Sequence, residues 1–272
     1  MSRPDMNTLI APKRVRPVLS WPGGKSRMLK HLLPMLPQHT CYCEPFAGGL
    51  ALLLAKTRST VEVVNDQNGL LVALYRCAQF HLEPLLAEME FCLNARDNLR
   101  DLLAQPGLTD LQRAARFMAA NRMSFGGGMK SYGVTKLGSG GACKSRQNAL
   151  QALRELNARL DKVSIENQDY ARCLATYDSP ETLFFLDPPY VCSRPGAAYE
   201  GWDAGRMEEF AGRVLALTGQ WIVTVGDCEL TRDLFQGCQI LPVETPNGSV
   251  NRRLAPTASF RELIIRPGPA SR

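Results

Sequence analysis

Histidine is scarce in this sequence, and the cysteines lack the spacing of a metal site. There are three histidines among 272 residues, and none of the nine cysteines belongs to a C-x-x-C pair. Structural zinc sites need such clustered ligands, so we predict that the protein binds no metal. Cys41 and Cys43 alternate along a predicted strand, where they are expected to be small buried thiols.

Long apolar runs, a signal-peptide pattern, low-complexity tracts and internal repeats are also lacking. We therefore expect a soluble, cytoplasmic protein with reduced cysteines and no membrane partner. The formal net charge is +6 and the pI is about 8.9, which favours a polyanionic partner. The length allows one good core, or one core with a smaller inserted module.

Two common phosphate-binding motifs are absent, the P-loop and G-x-G-x-x-G. In their place, a glycine turn at 45–49 joins a predicted strand (41–44) to a predicted helix (50–56). A second predicted strand (60–65) follows and is succeeded by Asp66. Glycines let the backbone approach a ligand and a later carboxylate binds ribose hydroxyls, so this unit favours a single nucleoside. The alternative is that the turn serves only to pack the helix tightly on the strand.

A short apolar run ends in one carboxylate and two prolines, in the order Leu-Phe-Phe-Leu-Asp-Pro-Pro-Tyr at 183–190. The run is typical of a strand buried on both faces, which the prolines end. Asp187 and the carbonyl of Pro188 can each accept one N–H of a planar amine, while Tyr190 stacks on its ring. The amine's lone pair is then available to attack an electrophile. The alternative is a turn that closes a core strand.

Two further stretches place charged groups beside turns. Trp-Pro-Gly-Gly-Lys at 21–25 precedes a helical pattern, so free backbone N–H groups and Lys25 favour a carboxylate or phosphate. Asp169 follows a predicted strand at 163–166. Because parallel strands end at one edge of a sheet, we expect Asp66, Asp169 and Asp187 to lie near one another.

The predicted strands indicate an α/β fold with a Rossmann-like, predominantly parallel, doubly wound sheet. Later strands are predicted at 221–225, 239–244 and 262–265. Residues 83–146 lack strands of this kind, so we interpret them as an inserted, mostly helical and basic module. Residues 1–17 are predicted to be a loose basic arm.

The stretch 121–146 breaks all periodicity and is rich in glycine and lysine. Such a segment is typical of contact with a nucleic-acid backbone. The alternative is a flexible surface loop.

Five motifs follow one another along the chain: Trp21-Pro-Gly-Gly-Lys25, Glu44-Pro-Phe-Ala-Gly48, Asn65-Asp66, Asn167-Gln-Asp169-Tyr170 and Asp187-Pro-Pro-Tyr190. In this order the chain resembles the Dam-type (D12 class, α-group) DNA adenine-N6 methyltransferases, over roughly residues 18–266. The resemblance implies methyl transfer from S-adenosylmethionine to the N6 amine of an adenine flipped out of double-stranded DNA. It makes 18–82 and 147–272 the catalytic domain and 83–146 the target-recognition module, and site-specific methylation of this kind is typical of restriction–modification systems.

The resemblance also implies roles for single residues. The catalytic residues are Asp187, Pro188 and Tyr190. The cofactor-binding residues are Trp21, Lys25, Glu44, Phe46, Gly48, Asp66, Asp169 and Asp187. Asn121 and Arg122 begin the recognition region, as in the Dam-type family, and are expected to bind DNA. From the charge of the basic segments rather than from the resemblance, we predict phosphate contacts by Lys130, Lys136, Lys144, Arg252 and Arg253. Tyr132, in the same glycine-rich stretch, is also predicted to bind DNA. A monomer is enough for this chemistry, and an oligomer is left open.

Two features depart from the family pattern. Leu50 stands where the family usually has a glycine or small residue, so the turn is expected to bend differently unless Gly49 compensates. The hairpin after Asn121-Arg122 is glycine-rich and unlike the readers of GATC, so no target sequence is predicted. Three other functions stay open: methylation of cytosine N4, methylation of an RNA base or a protein glutamine, and DNA binding without activity.

Overall fold

The computed structural model of the chain describes residues 15–105, 107–134, 145–191, 202–246 and 259–268. Most of the predicted basic arm lies outside these residues, as do four predicted DNA contacts, Lys136, Lys144, Arg252 and Arg253. In the described ranges, no helix is long and apolar enough to cross a membrane. The same ranges contain no group of His, Cys, Asp or Glu side chains that could hold a metal ion.

A seven-stranded sheet forms the centre of the fold. In chain order its strands are β1 (Cys41–Glu44), β2 (Val61–Asn65), β3 (Val163–Glu166), β4 (Thr182–Leu186), β5 (Gln220–Gly226), β6 (Gln239–Pro246) and β7 (Ser259–Arg266). Their spatial order is β3-β2-β1-β4-β5-β7-β6, and the five strands from β3 to β5 run parallel. The predicted α/β fold with a predominantly parallel sheet is confirmed.

The two C-terminal strands join this sheet in the antiparallel sense. β7 lies between β5 and β6 and is antiparallel to both. Antiparallel neighbours need no crossover helix, so the last strand can return directly into the sheet. The pairing sets Glu262 of β7 opposite Gly226 at the end of β5. A residue near the C-terminus thereby reaches the edge at which the parallel strands end.

Ten α-helices accompany the sheet in the part of the chain that the structure describes. They are α1 (Leu29–Leu32), α2 (Ala51–Ala55), α3 (Gly69–Phe80), α4 (Leu82–Phe91), α5 (Arg96–Ala104), α6 (Asp110–Met123), α7 (Arg146–Leu160), α8 (Tyr170–Tyr177), α9 (Ala204–Leu215) and α10 (Glu229–Leu234). α1 is a single turn between two 3-10 turns, because Pro34 in the second turn has no N–H to continue the helix.

Helices cover both faces of the sheet, and each face has its own apolar core. On β4, Leu183 and Phe185 belong to one core, whereas Phe184 and Leu186 belong to the other. All five residues of β4 are buried, as its apolar run predicts. The first core includes side chains of α2, α3 and α7, and the second includes those of α8 and α9. The doubly wound arrangement is therefore confirmed.

Where the structure describes it, at 83–105, 107–134 and 145–146, the segment predicted to be an inserted module supplies helices and no strand of the sheet. α6 packs on α3, and both α4 and α5 pack on α6. Leu85 of α4 and Phe117 of α6 share the first apolar core with Leu183 of β4. α4 and α6 therefore form a layer continuous with the sheet's own core, whereas Leu99 of α5 packs in a smaller cluster with Met123 at the end of α6.

Candidate active site

The loops after β1 and β4 leave the sheet at the point where its strand order reverses. β1 pairs with β2 on one side and with β4 on the other. Open α/β sheets bind ligands at such a switch point, outside the carboxyl ends of the strands. The loop after β1 contains Gly48, and the loop after β4 begins with Asp187. Asp66 and Asp169 follow β2 and β3 at the same edge.

The turn after β1 leaves no room for a side chain at Gly48. Gly48 has a φ of 44°, and a Cβ placed on it would lie 2.9 Å from Nε1 of Trp21. A Cβ essentially never lies this close to a heavy atom to which it is not bonded, and the positive φ also favours glycine, so this position suits glycine. The hydroxyl of Tyr75 donates a hydrogen bond to the Gly48 carbonyl. The structure thus brings together Trp21 and Gly48, which the sequence predicts for one cofactor site.

Leu50, which stands where the family usually has a glycine or small residue, takes the left-handed conformation. Its φ is 57° and its ψ is 28°, and its N–H donates to the carbonyl of Ala47 at 2.8 Å. Gly49 does not share this conformation, whereas Gly48 before it also has a positive φ. The left-handed region costs a non-glycine residue about 1–2 kcal/mol. Burial of the Leu50 side chain in the first core offsets a cost of this size.

The carboxylate of Asp66 is tied to the glycine turn. Its Oδ2 accepts the N–H of Gly48 at 3.0 Å. Burial raises the pKa of Asp66 above its ordinary value, while the N–H groups that it accepts oppose this shift. The neighbouring Asn65 donates to the carbonyls of Pro45 and Gln168, at 2.9 and 3.0 Å. The loops that follow β1, β2 and β3 are therefore joined by hydrogen bonds.

Aromatic side chains gather beside this turn. Phe46 stacks on Tyr170, with ring centroids 5.3 Å apart, and meets Trp202 edge-on at 5.7 Å. The Tyr170 hydroxyl and the Trp202 Nε1 are buried, and neither has a hydrogen-bond partner among the described residues. Buried donors of this kind are nearly always satisfied, so the cluster is suited to a ligand that offers acceptors.

Asp169 lies at the rim of the aromatic cluster and has two partners. Its Oδ1 accepts the N–H of Ala171 at 2.8 Å, which caps α8. Its Oδ2 forms an ion pair with Arg206 at 2.6 Å. The guanidinium of Arg206 also lies 5.4 Å from the ring centroid of Tyr170. Sequence reasoning missed Arg206 and Trp202, both of which lie outside the five motifs.

Three donors converge on one oxygen of Asp187. Oδ1 lies 2.7 Å from Nζ of Lys25, and it accepts hydrogen bonds from Thr224 at 2.8 Å and Tyr190 at 3.2 Å. Lys25 is buried, and its ammonium also donates to the carbonyl of Gly23 at 2.6 Å. Among the described residues, no hydrogen bond or ion pair to Oδ2 is found. The carboxylate is thus oriented by one oxygen, and the other is left for a further donor.

Glu262 provides a second carboxylate beside Lys25 and Tyr190, and the sequence motifs do not include it. Its Oε1 accepts from Tyr190 at 2.8 Å and lies 3.5 Å from Nζ of Lys25. Burial, followed by the charges of Asp187 and Glu262, raises the pKa of Tyr190 well above its ordinary value. The Tyr190 ring stacks on Phe260, with centroids 5.9 Å apart. The sequence signal that could have identified Glu262 is its position directly before the apolar run 263–265, where a carboxylate is unusual.

Glu44 lies at the end of β1, but its side chain faces the first core. The carboxylate accepts from the hydroxyl of Tyr42 at 2.6 Å and from the N–H of Leu53 in α2 at 2.8 Å. Burial raises its pKa to about 7. Glu44 therefore connects β1 to α2 beneath the glycine turn, and the structure does not bring its carboxylate to the site beside Asp187.

Asn121 was predicted to contact DNA, but its side chain is fully buried. The amide Nδ2 donates to the carbonyls of Ser20 and Gly127 at 2.9 and 3.0 Å, and Oδ1 accepts the N–H of Ser20 at 3.0 Å. Every hydrogen-bonding atom of the amide thus has a partner within the protein. In this conformation Asn121 is an internal link, because none of its polar atoms faces solvent.

The other predicted DNA-binding residues that the structure describes lie near the end of α6. Lys130 is exposed, and Tyr132 pairs with Ser124 in a one-residue β-bridge. Arg122 donates to the carbonyl of Ser145 at 2.9 Å, and burial lowers its pKa. Phe125, which the sequence analysis did not single out, is 57% exposed at the same turn. An exposed aromatic ring beside basic residues suits contact with a base.

A cavity of about 760 Å³ lies at the opposite edge of the sheet. It is lined by residues that precede β1, β2 and β4, including His39, Ser59 and Glu181. None of the side chains around Asp187 lines it. This cavity is therefore separate from the candidate site at the carboxyl ends of the strands.

Comparison with protein families gives one match over most of the chain. A model described as "D12 class N6 adenine-specific DNA methyltransferase" matches residues 21–247. The matched range contains all five sequence motifs, from Trp21 to Tyr190. It ends before β7, so Glu262 lies outside it.

The chain is also similar to three named proteins. It is 26% identical over 191 residues to "Type II methyltransferase M1.LlaDCHI" of Lactococcus lactis subsp. cremoris, covering 65% of this chain and 66% of that protein. It is 25% identical over 206 residues to "Type II methyltransferase M.MjaIII" of Methanocaldococcus jannaschii, covering 65% and 69%. It is 21% identical over 282 residues to "DNA adenine methylase" of Haemophilus influenzae, covering 97% and 98%. The matches thus extend over about two thirds of the first two relatives and nearly all of the third.

Proposed function

We propose a function from one premise: the chain belongs to the D12 class N6 adenine-specific DNA methyltransferases, which are enzymes. On that premise, it transfers the methyl group of S-adenosylmethionine to the N6 amine of an adenine flipped out of duplex DNA. The observation that carries this proposal is the arrangement of donors around Asp187. Because Lys25, Thr224 and Tyr190 all meet Oδ1, the carboxylate is fixed with Oδ2 available to accept an N–H.

The proposed reaction needs an activated nitrogen more than it needs a strong base. Asp187 and the carbonyl of Pro188 each accept one N–H of the adenine amine, which draws the nitrogen lone pair out of conjugation with the ring. S-adenosylmethionine supplies an electrophilic methyl group on a sulfonium. As the nitrogen–methyl bond forms, the sulfur–methyl bond breaks, and the extra proton leaves the positive nitrogen for water. No covalent intermediate with the protein is required.

Flipping is proposed because the amine of a paired adenine is hidden in the duplex. Extrusion of a base costs a few kcal/mol, which stacking and hydrogen bonds in the pocket return. The ring of Tyr190 is held parallel to Phe260, and its hydroxyl is held by Asp187 and Glu262. An immobilised ring of this kind suits the stacking role proposed for Tyr190.

The residues around Gly48 fit the proposed cofactor. A nucleoside offers a flat ring for Phe46 and Tyr170 to contact, and its ring nitrogens offer acceptors to the orphaned donors of Tyr170 and Trp202. Gly48 permits close approach of the backbone, and Asp66 next to it offers a carboxylate for ribose hydroxyls. Arg206 must then share Asp169 with the bound nucleoside.

The DNA is proposed to lie across the turn that follows α6. Lys130 and Phe125 are exposed there, and they suit contacts with a phosphate and a base. Roles for Arg122 and Tyr132, and for Lys136, Lys144, Arg252 and Arg253, stay predictions from the sequence. Asn121 is proposed to support this surface from within.

Nucleoside mass spectrometry of DNA from cells that express the protein tests the proposal. N6-methyladenine is expected to appear, and cells with an empty vector provide the control. N4-methylcytosine in place of N6-methyladenine would show that Asp187, Pro188 and Tyr190 act on cytosine rather than adenine. Methylation of RNA or protein alone, or cofactor binding with no methylation of any DNA, would overturn the proposed function. Methylation-sensitive sequencing of the same DNA identifies the target sequence.

A further inference from the structure

One ammonium group lies between two carboxylates at the end of β4. The Nζ of Lys25 is 2.7 Å from Oδ1 of Asp187 and 3.5 Å from Oε1 of Glu262. The Asp187 side chain is 21% exposed, whereas that of Glu262 is 7% exposed. Charges that are largely buried interact more strongly than charges in water. A change at one of these three groups therefore alters the electrostatic field at the other two.

The buried carboxylate of Glu262 is fully engaged by its neighbours. Oε1 faces Tyr190 and Lys25, and Oε2 accepts a hydrogen bond from Thr245 at 3.1 Å. The backbone of Glu262 is fixed between β5 and β6, where it is paired with Gly226 and Val243. Burying a carboxylate is costly even when it is paired, and a strand next to an apolar core does not need one. The position of Glu262 therefore calls for a reason beyond folding.

Glu262 competes with Asp187 for the same two donors. The Tyr190 hydroxyl lies 2.8 Å from Glu262 and 3.2 Å from Asp187, and Lys25 lies within 3.5 Å of both. With Glu262 charged, each donor divides its interaction between two oxygens. If that charge were removed, Lys25 and Tyr190 would turn more fully to Asp187. Its carboxylate would then be a weaker acceptor for a substrate amine.

We propose that Glu262 is a positioning residue for methyl transfer, which acts on Asp187 through Lys25 and Tyr190. It keeps the acceptor strength of Asp187 high while the two donors fix the orientation of the carboxylate. The inference rests on the proposed function, since the group that Asp187 is to activate is the adenine amine. Glu262 itself is not expected to touch the substrate.

Glu262→Gln tests the role, because glutamine keeps the size and an acceptor oxygen while removing the charge. The variant is expected to lower kcat about 10- to 100-fold and to leave KM for S-adenosylmethionine and for DNA within about threefold. Glu244→Gln is the matched control. Glu244 lies on the adjacent strand β6, is 60% exposed and pairs with Arg261 at 2.9 Å, so kcat and KM should both be unchanged.

A double-mutant cycle tests whether the effect passes through Tyr190. Tyr190→Phe removes the hydroxyl that joins the two carboxylates and keeps the ring. In that background, Glu262→Gln is expected to reduce kcat less than it does in the wild-type protein. Additive losses would overturn the proposed route, and so would a kcat for Glu262→Gln within twofold of an active wild type.

A spectroscopic measurement separates this inference from the proposed function. The protein has seven tyrosines, and the ζ-carbon resonance of Tyr190 in ¹³C-labelled protein can be assigned as the one lost in Tyr190→Phe. Glu262→Gln is expected to shift that resonance without ligands, whereas Glu244→Gln is not. If the wild type methylates no DNA, the proposed function fails by itself. An unshifted Tyr190 resonance would overturn the role of Glu262 whether or not the wild type is active.

Discussion

The side-chain amide of Asn121 exchanges two hydrogen bonds with the backbone of Ser20, at 2.9 and 3.0 Å. Asn121 belongs to the last turn of α6, in the segment proposed for target recognition. Ser20 directly precedes Trp21, which lies against Gly48 of the proposed cofactor turn. One buried side chain therefore connects the helical layer to the candidate active site.

Asn121→Ala is expected to lower the free energy of unfolding by about 1–3 kcal/mol. The substitution leaves the backbone of Ser20 and the buried carbonyl of Gly127 without this partner, and unmet buried groups carry costs of that size. Urea denaturation measures the change. Asn148→Ala, at an exposed position of α7, is the control and should shift stability by less than about 0.5 kcal/mol. Equal effects of the two variants would contradict the link.

Tyr170→Phe is expected to weaken S-adenosylmethionine binding about 3- to 10-fold without destabilising the free protein. The hydroxyl has no partner among the described residues, so only a ligand would lose a hydrogen bond. Calorimetry measures the affinity. Tyr177→Phe, on the same helix, is the control, because it removes a hydrogen bond to Glu166 at 2.8 Å within the protein. This variant should lower the free energy of unfolding by about 1 kcal/mol and leave the affinity for S-adenosylmethionine unchanged. If both variants bind the cofactor like the wild type, the aromatic cluster is not its site.

Glu44→Gln is expected to reduce the dependence of stability on pH. Burial raises the pKa of Glu44 from 4.5 to about 7, so the folded protein holds a proton that the unfolded chain releases between these values. The free energy of unfolding therefore falls as pH rises through this window, by about 2–3 kcal/mol between pH 5 and pH 8. Glutamine stays neutral and removes this loss.

Urea denaturation at pH 5 and pH 8 makes the comparison for Glu44→Gln. Glu244→Gln, which neutralises an exposed glutamate, should retain the pH dependence of the wild type. Equal losses of stability in the wild type and in Glu44→Gln would show that Glu44 is not the group responsible.

Lys130→Gln is expected to weaken binding to all duplex sequences alike. Loss of one phosphate contact reduces the slope of log K against log salt by about 0.9. Fluorescence anisotropy with mixed-sequence duplexes at several salt concentrations gives this slope. Lys162→Gln is the control, since Lys162 directly precedes β3 at the amino edge of the sheet. An unchanged slope in Lys130→Gln would show that Lys130 is a solvated surface charge that contacts no phosphate.

The sequence was sufficient for much of the sheet because its signals are local. The strand predicted at 41–44 coincides with β1, and that predicted at 163–166 coincides with β3. The run that ends at Asp187 is buried throughout, as expected of four apolar residues closed by prolines. Apolar runs and their breakers lie next to one another in the chain, so no tertiary information is needed to recognise them.

The partners of the site were beyond the sequence because they come from distant parts of the chain. Thr224 and Glu262 reach Asp187 and Tyr190 only through the pairing of β4 with β5 and of β5 with β7. The resemblance places Asn121 among the DNA-binding residues, yet the fold buries its side chain against Ser20. Side-chain direction at the end of a helix depends on what packs there, and a motif alone does not give it.

Asp187 is proposed to accept the amine that becomes methylated, and Asp187→Asn removes that acceptor. Asparagine keeps the shape and an oxygen for Lys25 and Thr224, but it presents an NH2 group where the amine needs an acceptor. The measurement is transfer of labelled methyl groups from S-adenosylmethionine to duplex DNA, with thermal unfolding to verify the fold. A folded variant is expected to form N6-methyladenine at least about 100-fold more slowly than the wild type. A rate within threefold of the wild type would contradict the account.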